Sequence, residues 1–175
     1  MAIRDYGQYI VTDTEAELLL LTPHIGQIGY PADTKIRLLY TGSWVPNAAV
    51  QVLRGQANVD GKSVANTTIY TMPSTSFRFV PLGAHVEVTS VSGTVGVMPT
   101  VSMGTNSPNY NNLFTGSALN SLLTTLGVTQ TNALAIASTV NPITGDTALT
   151  ARISVAATLF TTYSFRIDVL GYYEV

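Results

Sequence analysis

The chain has 175 residues, a formal net charge of −2, and only 10% charged residues against 46% hydrophobic ones. This length suffices for one domain with a sizeable core, and the mild negative charge argues against a nucleic-acid binder, which normally carries a clustered basic surface. The absence of cysteine excludes thiol catalysis, disulfide scaffolds and thiolate metal sites.

The N-terminal segment is predicted to form exposed strands. Residues 1–11 contain Arg4 and no apolar run typical of a secretory signal, so none is expected. Residues 3–11 are predicted to form an open edge strand that a neighbouring chain could pair with. The acids Asp13, Glu15 and Glu17 alternate, which predicts a charged strand edge, with a calcium site as the alternative.

Short β-rich runs follow, separated by turn residues. Glycine and proline, which favour turns, lie between these runs at Thr41-Gly42-Ser43, Asp60-Gly61, Met72-Pro73-Ser74 and Pro81-Leu82-Gly83. Asp60-Gly61 is typical of a hairpin turn with positive φ at the glycine. The spacing of roughly 8 to 15 residues between runs is typical of sandwiches and barrels. The predicted strands cover residues 35–40, 49–54, 67–72, 76–80 and 84–90.

Residues 88–145 contain no Asp, Glu, Lys or Arg at all. A lone soluble domain normally carries charges of both signs over its surface, whereas the cores of protein–protein interfaces are depleted in Lys, Glu and Asp. The charge-free stretch therefore favours a surface that meets another neutral surface. The alternative is a Thr/Ser-coated β surface that simply stays in solvent.

Within that stretch, residues 100–115 predict a long loop rich in asparagine. After it, Leu119, Leu122, Leu123 and Leu126 follow helical spacing, with Gly127 as the C-terminal cap. We therefore expect a loop-plus-helix insertion at about residues 100–127 within a single domain that covers residues 1–175. Deleting residues 105–112 is expected to weaken assembly without unfolding the domain.

The C-terminus shows the clearest periodicity. Apolar residues occupy alternate positions from Leu149 to Leu159, and again from Tyr163 to Val175. Period-two alternation places one set of side chains on a core face. The two runs, residues 147–159 and 163–175, are predicted to pair as a long antiparallel hairpin.

No arrangement of residues predicts catalysis. His24, His85 and Glu87 could form a two-histidine, one-carboxylate metal site, but their spacing favours a solvated strand face, so neither a metal nor a cofactor is expected. No nucleophile elbow, phosphate loop or dinucleotide motif is present. Trp44 and Tyr40 are candidates for stacking on sugars, but a single tryptophan more often packs in a core or interface.

At the level of architecture, the whole chain resembles the small single jelly-roll capsid proteins of viruses. It is free of cysteine, poor in charge, rich in Thr, Ser and Asn, and ends in a long alternating strand. The likeness extends to bacteriophage capsid subunits, including those of phages with an internal membrane, and to head decoration proteins. It implies an all-β jelly roll or β-sandwich, location in the virion, and assembly with copies of itself, as a dimer or trimer, and with other capsid proteins.

Capsid jelly rolls that contact the genome often carry a basic N-terminal arm, and residues 1–9 contain only one Arg. We therefore expect contacts with neighbouring subunits and no direct contact with nucleic acid. The asparagine-rich region supplies the interface candidates, which are Asn106, Tyr110, Asn111, Asn112, Leu113 and Phe114.

Two other classes remain open from the sequence. The first is a carbohydrate-binding or receptor-binding module that uses Trp44, Tyr30, Tyr40 and Tyr110 as stacking residues. The second is a metal-dependent enzyme of the cupin type.

Overall fold

A computed structural model describes residues 4–5, 9–47, 50–75, 77–131, 134–137 and 140–174. In this part of the chain there are fifteen strands and one short helix, and no helix is long and apolar enough to cross a bilayer. In chain order they are β1 (Arg4–Asp5), β2 (Tyr9–Thr12), α1 (Glu15–Leu19), β3 (Ile28–Pro31), β4 (Leu38–Tyr40), β5 (Trp44–Pro46), β6 (Gln51–Leu53), β7 (Val59–Asp60), β8 (Asn66–Thr71), β9 (Arg78–Gly93), β10 (Thr100–Gly104), β11 (Phe114–Ala118), β12 (Thr129–Thr131), β13 (Ala135–Ile136), β14 (Ala148–Val155) and β15 (Phe160–Glu174).

Two sheets form a jelly roll. One has the strand order β6-β15-β9-β12, with β7 also on β15, and the other has the order β8-β14-β10-β11-β13. These strand pairs are nested along the chain. β6, the first of these strands, pairs with β15, the last; between them β8 pairs with β14, β9 with β12, and β10 with β11. This nested antiparallel pairing, alternating between two sheets, is the jelly-roll connection. The predicted all-β class is confirmed.

The predicted C-terminal hairpin is wrong, although its alternation is correct. Leu149, Ala151 and Ile153 are buried, and so are Tyr163 and the apolar residues that alternate after it. However, β14 pairs with β8 and β10, whereas β15 pairs with β9 and β6. Residues 156–159 cross from one sheet to the other, so the two apolar faces meet across the core instead of lying side by side.

The N-terminal region forms a third sheet, of order β1-β2-β3-β4-β5, and not a simple charged edge. β2 and β3 are parallel and are connected through α1. The expected strand through the three acids is wrong, because Thr14 caps a helix there: its side chain accepts the Glu17 N–H, and the Glu17 carboxylate accepts the Thr14 N–H. Of the predicted edge strand 3–11, residues 3 and 6–8 lie outside the described residues.

The predicted helix around Leu119–Leu126 is also absent, since the described residues 119–128 form turns. The Asn120 side chain accepts the Leu122 N–H at 2.9 Å, which is a local turn that competes with helix formation. The flanking backbone bonds to other strands, with the Leu119 N–H donating to the Pro99 carbonyl at 3.0 Å. Residues 100–104 and 114–118, predicted as part of an insertion, are strands β10 and β11.

Two predicted turns differ from the structure. Gly61 is required by close packing, since a Cβ there would lie 2.6 Å from the Tyr163 ring, and its φ is not positive. The turn moves the chain from β7 to β8, which lie in different sheets, so it closes no hairpin. The predicted turn at residues 81–83 is a bulge inside the continuous strand β9, opposite Leu170 and Gly171.

One ion cluster lies on the outer face of the sheet that contains β9 and β15. The Arg166 guanidinium contacts the carboxylates of both Glu87 and Asp168. Asp168, only 7% exposed, also accepts the Gly55 N–H at 2.8 Å. Hydrogen bonding to Asp168 and the charges of both acids raise the pKa of Arg166, so its guanidinium keeps its proton.

Candidate assembly surface

The two ends of the sandwich differ in what surrounds them. At one end β9 begins beside the end of β15, where Arg78 and Glu174 form an ion pair at 3.0 Å. Helix α1 is attached near this end, because the Thr75 hydroxyl lies 2.8 and 2.9 Å from the two carboxylate oxygens of Glu15. At the other end β9 finishes at Gly93 beside Phe160, the first residue of β15.

Three segments cover this second end, and we call them together the end surface: residues 94–97, 120–127 and 155–162. Backbone bonds connect the first and third, with the Thr94 N–H donating to the Leu159 carbonyl at 3.3 Å and the Thr158 N–H to the Val97 carbonyl at 3.1 Å. The second segment starts at Leu119, which is bonded to Pro99, and returns to β9 at Val88. These 20 residues contain no Asp, Glu, Lys, Arg or His.

Six large apolar side chains of the end surface are exposed. A soluble domain usually scatters such residues singly, and contiguous groups mark interaction sites. The exposed fractions are 49% for Val95, 55% for Val97, 73% for Leu122, 65% for Leu126, 46% for Val155 and 71% for Leu159.

Buried residues fix the end surface to the core. Tyr163 is 1% exposed, and its hydroxyl donates to the Leu123 carbonyl at 2.9 Å. Burial raises the pKa of Tyr163 to about 12, so the hydroxyl keeps its proton and remains a donor. Leu119 and Leu123 are buried, which leaves Leu122 and Leu126 on the solvent side. The exposed leucines are therefore held in place by their buried neighbours.

The rim of the end surface carries one charged pair. The Lys62 ammonium donates to the carbonyls of Phe160 and Thr161. Close to it in the chain, Asp60 accepts hydrogen bonds from the Ser63 hydroxyl and the Lys62 N–H, and these lower the pKa of Asp60. Lys62 and Asp60 therefore border the uncharged area.

The asparagine-rich loop uses its own amides. The Asn106 side-chain oxygen accepts the backbone N–H groups of Asn111 and Asn112 at 2.9 and 3.2 Å. The Asn112 side chain is bonded to both the N–H and the hydroxyl of Thr105. Gly104 has no Cβ, which would otherwise lie 2.1 Å from the Asn112 side-chain oxygen. The amides expected to reach a partner therefore hold the loop in shape.

The other interface candidates divide into two groups. Leu113 and Phe114 are 1% and 0% exposed: Phe114 is the first residue of β11, Leu113 precedes it, and both side chains fill the core, so neither is exposed to a partner. Tyr110 is half-buried, with a positive φ of 44°. The exposed apolar residues of the end surface were not predicted as site residues, although the charge-free stretch contains four of the six.

The stacking candidates are largely enclosed. Trp44 is 7% exposed, its indole N–H donates to the Leu21 carbonyl at 3.1 Å, and its ring contacts Tyr40 edge-on at 5.3 Å between centroids. Both line a cavity of about 320 Å³. Since Trp44 is only 7% exposed, stacking of a sugar on its ring is not supported by this geometry.

The candidate metal ligands are occupied by other contacts. His85 Nδ1 lies 3.1 Å from the Thr131 hydroxyl, and Glu87 pairs with Arg166. Within the described ranges, no three His, Asp or Glu side chains come together in a way that could hold a metal ion.

No protein-family model and no curated protein matches the chain. Two solved structures are similar to it. One is from the cyanophage Pam1 capsid asymmetric unit, with 19% identity and a TM-score of 0.45 over 70% of this chain and 84% of that chain. The other is from the acidic stable capsid structure of Helicobacter pylori bacteriophage KHP30, with 12% identity and a TM-score of 0.46 over 73% of this chain and 90% of that chain. Because these scores are low, we infer the function of the chain from its own surface.

Proposed function

We propose that the chain is a structural virion protein, a capsid subunit that self-associates through the end surface and packs against other capsid proteins. The observation that carries this proposal is the end surface itself, which is uncharged and exposes six large apolar side chains. A jelly roll alone does not support it, because the same fold serves both viral shells and lectins.

Contact between two such surfaces is energetically favourable. Full burial of a Val or Leu side chain contributes about 1.5–3 kcal/mol. Each of the six side chains is about half exposed or more in the single chain, so a contact can still bury that exposed part. No charged group has to be desolvated, a cost that can exceed the Coulombic gain of an ion pair. The threonine hydroxyls at 94, 158, 161 and 162 can pair across the contact, directly or through water.

The same neutrality favours a second copy as the partner. In a two-fold contact residue i of one copy meets residue j of the other and the reverse, so charged residues on such a surface must be placed in complementary positions to avoid repulsion. A surface without charges avoids that repulsion in any orientation, so it is compatible with both two-fold and ring-forming contacts. Because the end surface is hydrophobic, the association should persist at high salt, unlike one held by exposed ion pairs.

Light scattering behind size exclusion tests this function. We expect the purified chain to form a dimer, trimer or larger assembly whose population rises with concentration and does not fall between low and high salt. A chain that stays monomeric at the highest attainable concentration would contradict the proposal. So would an assembly that dissociates as salt is added, because that behaviour indicates charged contacts.

A carbohydrate-binding module is the competing function, and a glycan array separates the two. Saturable binding lost on substitution of Tyr40, in a chain that remains monomeric, would replace the capsid proposal. Trp44→Phe is a poor test here, because it also removes the bond to Leu21.

A further inference from the structure

Almost every charged side chain that the structure describes has a partner within the chain. The acids accept hydrogen bonds or pair with cations, and most cations bind carboxylates or carbonyls. Arg37 lies over the Tyr30 ring at 5.8 Å. The side chains of Arg4 and Asp5 lie outside the described part of the chain; among the other charged side chains, Lys35, Arg54 and Asp146 make no hydrogen bond, ion pair or ring contact with described residues.

The two unpartnered cations line the same cavity. It has a volume of about 280 Å³ and lies where the turn before β4 meets strands β6 and β8 and the end of β15. Lys35 lies in the turn and Arg54 directly follows β6. No acidic residue is among the residues that line the cavity. The cavity therefore concentrates positive charge in a chain whose net charge is −2.

Three of the other polar groups that line this cavity can donate a hydrogen bond and have no partner among the described residues, and Thr34 and Gln56 line it as well. The Gln51 amide nitrogen is buried and has no partner. The side chains of Tyr70 and Tyr173 also line the cavity, and their hydroxyls make no hydrogen bond within the described residues. Desolvation raises the pKa of both tyrosines, so both hydroxyls keep their protons. The charge of Glu15 also raises the pKa of Tyr173, and the Glu15 carboxylate accepts a hydrogen bond from the Thr75 hydroxyl.

Lys35 is held in a conformation that its side chain does not favour. Its φ is 57°, in the left-handed region, and its N–H donates to the Pro31 carbonyl at 2.9 Å. This conformation is unfavourable for a residue other than glycine. Strain of this kind is concentrated at binding sites, where it fixes the direction of a side chain.

The geometry points to a carboxylate-binding site formed by Lys35, Arg54, Gln51, Tyr70 and Tyr173. Two cations and three neutral donors match an acceptor-only group with one negative charge and two oxygens, and a guanidinium binds a carboxylate through two parallel hydrogen bonds. The volume of about 280 Å³ admits one compact group such as a carboxylate. The carboxylate comes either from a free small acid or from a second copy, through the exposed and unpartnered Asp146.

Acetate is the probe for the site. We expect NMR titration of the full ¹⁵N-labelled chain with sodium acetate, at constant ionic strength, to give saturable shifts at residues 34–35 and 51–56. Acetamide, which has the same shape without the charge, should give none. The double variant Lys35→Gln/Arg54→Gln should bind acetate at least tenfold more weakly. The control Arg152→Gln removes a cation on the other sheet and should not change binding.

Three results would overturn the site: shifts that do not saturate, equal shifts with acetamide, or unchanged acetate affinity in the double variant. The source of the carboxylate is then read from sedimentation. If Asp146→Asn and the double variant weaken self-association equally, the carboxylate comes from Asp146 of a second copy. No weakening by either, with acetate binding intact, assigns it to a free acid. The acetate titration does not depend on the end surface, so the site and the proposed function can fail separately.

Discussion

Replacing Leu159 with aspartate is expected to weaken self-association at least tenfold while leaving the fold as stable as the parent or more stable. Leu159 is 71% exposed and belongs to the end surface, where its carbonyl accepts the Thr94 N–H, so a carboxylate there must be desolvated in the contact. Its φ is 64°, which is unfavourable for leucine and tolerated by aspartate. The substitution should therefore raise the free energy of unfolding by about 0.5–1 kcal/mol or leave it unchanged.

Ile25→Asp is the matched control for this experiment. Ile25 is 79% exposed, in the loop between α1 and β3, and outside the end surface. Sedimentation velocity measures association, and urea denaturation measures stability, for both variants. Equal loss of association in the two variants would mean that general surface hydrophobicity, and not the end surface, drives the contact. Unfolding of Leu159→Asp would contradict our account of its backbone conformation.

Replacing Arg166 with methionine is expected to lower the free energy of unfolding by about 3–5 kcal/mol, because it leaves a buried carboxylate without its cation. Arg166 is the only described cation that contacts Asp168, and it also pairs with Glu87. The Asp168 side chain is 10% exposed, so water replaces little of the lost interaction. Both acids also come from the central strands β9 and β15, whose pairing builds the sheet.

Arg78→Met provides the comparison. Arg78 pairs with Glu174 across the same two strands, but the two side chains are 49% and 33% exposed. An exposed pair contributes about 0–1 kcal/mol. Urea denaturation of the two variants should therefore differ by at least 2 kcal/mol. A difference within experimental error would show that the Arg166 cluster is solvated like an ordinary surface pair.

Alternation along the chain was sufficient to predict the strands, but not which strands pair. The pattern from Leu149 to Ile153 and from Tyr163 onward identifies core-facing side chains in any antiparallel arrangement. A hairpin and a crossing between two sheets produce the same alternation, because both place one face of each strand on the core. The crossing instead depends on residues 156–159, whose backbone bonds go to Gly61 and Val97, far away in sequence.

The single helix was predicted in the wrong place for a local reason. The leucine spacing at 119–126 matched a helix, but Asn120 bonds its own turn and the flanking N–H groups bond to distant strands. The true helix begins with Thr14-Glu15-Ala16-Glu17, which is a capping-box sequence. That signal was available in the sequence, and reading the acids as an alternating strand edge obscured it.

The candidate surface was only partly predictable. The missing charges of residues 88–145 indicated that a neutral surface exists, but the asparagine loop was chosen because it is polar and long. Its amides are used internally, which no spacing of residues reveals. The end surface combines three segments that only the jelly-roll connection brings together. Val155 and Leu159 continue the alternating pattern, so the sequence predicts them as buried, whereas they are exposed.

Hydrogen–deuterium exchange at low and high protein concentration tests the central claim most directly. If copies of the chain meet through the end surface, exchange in residues 94–97, 120–127 and 155–162 should slow as concentration rises. Exchange in residues 9–46, which form the N-terminal sheet and α1, should change less. Protection confined to that sheet or to residues 105–112, with the end surface exchanging equally at both concentrations, would contradict the account.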